Sequence, residues 1–142
     1  MSDAFAAIRE RRFERAIEFL QAVVSDRPNY HIAWLNIGKA QREWAVDQRE
    51  EGNGEATRDA CVSLLENSLS SFERAKGHID RQYRAEACYH ASKSYYRLWQ
   101  HDKNSATLQK AIEEAKTART TFPDIKYETW VEYLESAELG SR

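Results

Sequence analysis

The sequence predicts an all-α chain, built as about three stacked antiparallel helical hairpins followed by one terminal helix. Three observations carry this. Apolar residues recur at three- and four-residue spacing through seven segments, the period of an amphipathic helix. Both prolines, Pro28 and Pro123, fall between such segments, where helices end. No stretch shows the strict alternation of a half-buried strand.

The elements follow in order. Ser2 is placed to cap a short first helix that runs through Glu10. Arg11-Arg12-Phe13 reads as a turn. A second helix spans about Glu14 to Asp26, with Ile17, Leu20 and Val24 on one face. A third spans about Tyr30 to Arg49 and uses Trp34, Ile37, Gln41 and Trp44. Gly38 lies inside it and costs about 1 kcal/mol relative to Ala, which a close helix contact would justify. Gly52-Asn53-Gly54 breaks the chain before a fourth helix, about Ala56 to Lys76. The fifth runs from about Arg81 to His101, with Cys88, Ala91, Tyr95, Leu98 and Trp99. Ser105 is expected to cap a sixth helix that ends at Thr121. The last, about 125–138, presents Tyr127, Trp130, Val131 and Leu134, and its glutamates 128, 132, 135 and 138 suit a solvated capping face. The expected hairpins are 2–27, 30–77 and 81–121 within a single domain, 1–142.

Two runs share a pattern. Ala16, Leu20, Val23 and Pro28 lead to Trp34, Ile37 and Gly38, and the first part recurs as Ala111, Ala115, Ala118 and Pro123. The pattern resembles the tetratricopeptide repeat, a helix-turn-helix unit of about 34 residues with W-x2-L-G-x2-Y, A-x3-F and P positions. It is sharp over residues 13–38. The second repeat is lengthened around Val46 to Arg58, and the third has Ser92 and Tyr95 where Gly and Tyr belong. The resemblance implies an α-solenoid in which one hairpin cannot bury its apolar face alone and neighbours supply the rest of the core.

Composition narrows the function classes. Charged residues make up 31% of the 142 and the net charge is −2, so no polyanion partner is demanded. No apolar run is long enough to span a bilayer, and Met1-Ser2-Asp3 lacks a signal-peptide pattern. Cys61 and Cys88 are not a C-x-x-C pair and read as small buried side chains in a reducing compartment, with cytoplasmic residence as the expectation. No nucleophile elbow, phosphate loop or zinc-binding helix motif is present, so no enzyme, cofactor or metal site is expected. Glu86 and His90 share a helix face, which an i,i+4 ion pair explains better than a metal. Tyr95, Tyr96 and Trp99 interleave with cations between Arg81 and Arg119, one signature of single-stranded nucleic-acid binding. The i,i+4 spacing of Tyr95 and Trp99 fits a core stripe instead and sets nucleic acid well behind protein.

The resemblance then implies a function: an adaptor that binds a peptide or protein segment in the concave groove lined by the leading helix of each repeat. The matched register makes Asn36, Lys39 and Glu43 groove-facing in one repeat, and Tyr89, His90, Lys93, Tyr96 and Arg97 in the next. The carboxylate clamp of some family members is disfavoured. Asn36 matches its central Asn, but Met1 and Phe5 stand where a Lys and an Asn belong, and Glu86 and His90 where a Lys and an Arg belong. The alternative is a self-associating assembly module that uses Phe5 and Ile8 at the N-terminal end.

Overall fold

The computed structural model describes residues 2–51 and 55–141, and nearly all of these described residues lie in seven α-helices. They are α1 (Ser2–Arg9), α2 (Phe13–Asp26), α3 (His31–Glu51), α4 (Glu55–Ala75), α5 (Arg81–Asp102), α6 (Ser105–Thr121) and α7 (Ile125–Gly140). No strand occurs among the described residues. The expected Gly-Asn-Gly break lies outside them, as does Met1, and Ser2, expected to cap the first helix, is already its first helical residue.

The helix starts follow from side-chain chemistry. Asp80, Asn104 and Asp124 each accept a hydrogen bond from the backbone N–H two residues on, at 2.8, 2.9 and 3.0 Å, and so satisfy one free donor of α5, α6 and α7. The cap of α6 is therefore Asn104 rather than Ser105, which is already the first helical residue. Asn104 wins because its carbonyl reaches the N–H of Ala106 from an extended backbone. Two tight turns use left-handed backbone: Arg11 (φ 61°) between α1 and α2, and Lys103 (φ 55°) after α5.

Each helix packs against its neighbours in the chain, and α3 also meets α5. The contacts fix directions. The Cys61 thiol donates to the Ala45 carbonyl and Ser71 donates to Gln41, so α3 and α4 run in opposite senses. Ser68 pairs with Ser94, and Phe72 stacks on His90, so α4 and α5 also oppose. Between α3 and α5 the order is the same rather than reversed: Arg42 reaches His90 and Arg49 reaches Gln100. In the same way α5 and α7 run alongside each other, through Glu86 to Tyr127, Ser92 to Trp130 and Tyr96 to Tyr133.

The core is a row of clusters. Ile17, Leu20, Ala33 and Ile37 join α2 to α3, with Ala4 of α1 beneath them. Phe72 and Leu35 meet Ala87 and Ala91 where α3, α4 and α5 converge. Leu108, Ile112, Val131 and Leu134 close α6 against α7. Gly38 is the tightest point. A Cβ built there would stand 2.5 Å from Cε1 of Phe72, so the phenyl ring fills the space a side chain would take. Leu20, Phe72 and Ala118 are buried as expected. Trp34 is only partly buried, because its indole N–H donates to the Pro28 carbonyl at 3.0 Å and Arg74 lies over its ring at 4.7 Å.

Candidate protein-binding cleft

Three helices, α3, α5 and α7, line a cleft of about 510 Å³. From α3 come Arg42, Glu43 and Val46, and from α5 come Lys93, Tyr96, Arg97 and Gln100. Trp130 and Tyr133 come from α7, and Arg11 closes the N-terminal side. The register explains the set. Residues 93, 96, 97 and 100 share one face of α5 by three- and four-residue spacing, as 130 and 133 do on α7.

The α7 side is an aromatic wall. Trp130 and Tyr133 stack at 5.3 Å between ring centroids, and Tyr96 meets both edge-on, at 5.4 and 5.6 Å. The hydroxyls of Tyr96 and Tyr133 hydrogen-bond to each other at 2.8 Å. The Trp130 N–H donates to the fully buried Ser92 hydroxyl at 2.8 Å, and that hydroxyl donates in turn to the Ala111 carbonyl at 2.6 Å. Ser92 thus fixes the indole to the α5–α6 interface.

The opposite side is cationic. Arg42 directs Nη1 to His90, at 2.8 Å from Nδ1 and 3.2 Å from the carbonyl oxygen, so His90 accepts through Nδ1. Burial draws the Arg42 pKa down to about 10, which Glu43 only partly offsets. Burial also drives the His90 pKa well below its usual value, and Arg42, Lys39, Lys93 and Lys126 add to the effect. Lys93 lies over the Tyr89 ring at 4.6 Å and near Trp130 at 5.7 Å. Arg97 donates to the Gln100 side chain at 3.2 Å. Among the described residues, none of Arg42, Lys93 and Arg97 has a carboxylate at ion-pair distance.

Of the residues read as groove-facing in the sequence, Glu43, Lys93, Tyr96 and Arg97 meet in this cleft. Lys39 is half-buried on α3 and contributes to the positive field at His90. Tyr89 packs between His90 and Tyr127, both at 5.2 Å, under Lys93 and Lys126. Asn36 and His90 are buried: Asn36 donates to the Ile32 carbonyl of its own helix, and His90 backs Arg42. The expected Glu86–His90 pair does not form. Glu86 turns to α7 instead, accepting from Lys126 at 2.7 Å and the Tyr127 hydroxyl at 2.9 Å. Phe5 is 39% exposed, whereas Ile8 packs against the α2–α3 cluster. Arg42, Trp130 and Tyr133 were not read as site residues. The i,i+3 pair of large aromatics on a helix otherwise rich in glutamate was the available signal for the last two.

A second cleft, of about 620 Å³, lies at the α1–α2 turn between Phe13, Phe19 and Trp44. Two of its cations are paired, Arg11 with Asp47 and Arg12 with Glu10, and the third, Arg15, lies over the Phe19 ring at 5.4 Å. No group of three or more His, Cys, Asp or Glu side chains among the described residues is placed to hold a metal ion. No helix among them is long and apolar enough to cross a membrane.

The chain matches no protein-family model and no curated protein. A functional reading therefore rests on the cleft itself: Arg42, Lys93 and Arg97, with no carboxylate at ion-pair distance among the described residues, facing an aromatic wall. Its central groups touch neutral partners and one another, an arrangement suited to recognition.

Proposed function

We propose that the chain is a non-enzymatic adaptor of tetratricopeptide-like construction, resident in the cytoplasm, that binds a protein segment in the cleft between α3, α5 and α7. One observation carries the reading. Side-by-side helices of like direction present Lys93, Tyr96 and Arg97 toward Arg42, Trp130 and Tyr133, with no carboxylate among the described residues at ion-pair distance from the three cations. Aromatic and Arg side chains tend to carry a large share of interface energy, and charge complementarity governs encounter rate and partner choice. The opposite order of successive helices and the like order of α3, α5 and α7 support the solenoid reading.

Affinity capture from the source cells tests this. Lys93→Glu with Arg97→Glu is expected to weaken capture of the main partner at least tenfold and to leave the helical circular-dichroism signal unchanged. The control, Lys110→Glu with Lys116→Glu on α6, is expected to leave capture intact. Loss of capture in the control but not in the cleft pair would assign binding to the other face.

A further inference from the structure

We infer that the occupant of the cleft is an internal acidic segment with at least two carboxylates and an adjacent aromatic or large aliphatic residue. The carboxylates sit along the Arg42–Lys93–Arg97 line and the apolar side chain on Trp130 and Tyr133. This rests on the adaptor reading and specifies its ligand.

The argument starts at Arg42. A largely buried charge is costly unless it is paired, and the hydrogen bonds of Arg42 go to a neutral imidazole and a carbonyl. Its guanidinium also lies over the Phe72 ring at 5.9 Å, so the packing that holds it leaves no room for an acidic partner on that side. The free direction is the cleft. Lys93 and Arg97 add two more cations, and Glu43 is the sole acidic side chain among the described lining residues.

Spacing and charge then favour more than one anion. Arg42 is level with His90, and Arg97 lies seven residues further along α5, about 10 Å at 1.5 Å per residue. Three cations rooted along that length, Arg42, Lys93 and Arg97, carry more charge than one carboxylate neutralises. An extended chain covers the same distance in about three residues. Acidic residues two to four positions apart therefore match the line, and a lone chain-terminal carboxylate does not.

The aromatic wall argues for protein over single-stranded nucleic acid. Bases need open ring faces. Trp130 and Tyr133 stack on each other and Tyr96 stands edge-on to both, so the wall, with Tyr133 51% exposed, offers one platform for a single apolar side chain rather than a row of separate faces for successive bases. On α7, Glu128, Glu132 and Glu135 are exposed; Glu128 pairs with Arg119 and Glu135 with Lys116, and Glu132 adds negative charge that a polyphosphate continuing past the cleft would meet.

Panning a phage library of random 16-residue peptides on the full chain, followed by anisotropy titration of the best peptide, tests the inference. Enrichment of acidic pairs two to four residues apart beside Trp, Phe, Tyr or Leu is expected. The affinity should fall at least tenfold with Arg42→Gln, with Lys93→Ala plus Arg97→Ala, and with Tyr133→Ala, and should weaken as salt rises. Amidating the peptide C-terminus should change nothing. If Arg42→Gln loses its helical signal, the Lys93 and Arg97 pair, on partly exposed side chains, decides the charge question. Enriched peptides that lack acidic pairs, or whose binding survives the cleft substitutions, overturn the inference and leave the adaptor reading standing. Tighter binding of a 20-residue oligothymidylate than of any peptide overturns the choice of ligand. Failure to enrich any peptide overturns the acidic-segment inference, and the capture experiment decides the adaptor reading separately.

Discussion

His90 is held neutral by its surroundings, and that has a measurable consequence. The ring is buried, stacked on Phe72 at 5.9 Å, and accepts from Arg42 through Nδ1. Burial is the largest cause of its lowered pKa, followed by Arg42, Lys39, Lys93 and Lys126. An unfolded His titrates near the ordinary value of about 6.5. Between that value and the lower folded one, the unfolded chain binds the extra proton, so stability is full above about 6.5 and falls as the pH drops toward the folded value. One such group sets a slope of up to about 1.4 kcal/mol per pH unit. The thermal midpoint is expected to fall between pH 7.5 and pH 5.0, and His90→Gln, which keeps an acceptor for Arg42, should flatten that fall. His101, also lowered, is present in both proteins and cancels in the comparison. Equal pH dependence in the two would show that His90 is not the titrating group. The sequence showed His90 as one position on a helix face. It could not show that Arg42, 48 residues away, would arrive beside it.

At the scale of the helices, α3 and α4 meet where Gly38 admits Phe72. The wild-type pair is complementary in volume, so a methyl group at Gly38 must move a fully buried ring. Overpacking of this kind costs about 1–3 kcal/mol. Gly38→Ala is expected to lower the thermal midpoint, and Phe72→Leu in that background should recover part of the loss. A double-mutant cycle on denaturant midpoints measures the coupling; strict additivity would mean that the two positions do not share the crossing. Gly38 was legible in the sequence because a glycine inside a strong helical pattern calls for close packing. α5 was harder to read. It is enclosed by α3, α4, α6 and α7, and buries Ala85, Ala87, Cys88, His90, Ala91, Ser92 and Ser94, so no single apolar stripe remains. Its serines look polar in sequence, yet Ser92 and Ser94 are fully buried with their hydroxyls bonded to neighbouring helices. The glutamates of α7 hid its other role: the helix that caps the stack by pattern also lends Trp130 and Tyr133 to the cleft.

For the molecule as a whole, the open question is whether it acts as one copy. Self-association was expected to use Phe5 and Ile8, and Ile8 is engaged with the α2–α3 cluster. Phe5, at 39% exposure, is left. An aromatic side chain buries about 150–250 Å² at most, whereas a stable interface takes about 800 Å² from each partner. The other exposed large apolar residues are spread over the surface: Ile79 and Tyr83 at the start of α5, Tyr133 in the cleft wall, and two more on α7. Ile125 and Leu139 stand at its two ends, about 21 Å apart at 1.5 Å per residue. Singly exposed apolar residues are ordinary on a folded surface; contiguous patches mark contacts. Sedimentation equilibrium at about 100 μM, an ordinary protein–protein regime, is expected to give the monomer mass of 16.5 kDa, unchanged by Phe5→Asp. A dimer mass that Phe5→Asp returns to the monomer would establish the N-terminal contact and favour an assembly role. A dimer that persists in Phe5→Asp but dissociates as salt rises would point instead to the cationic cleft, with the acidic side of α7 from a second copy as its occupant.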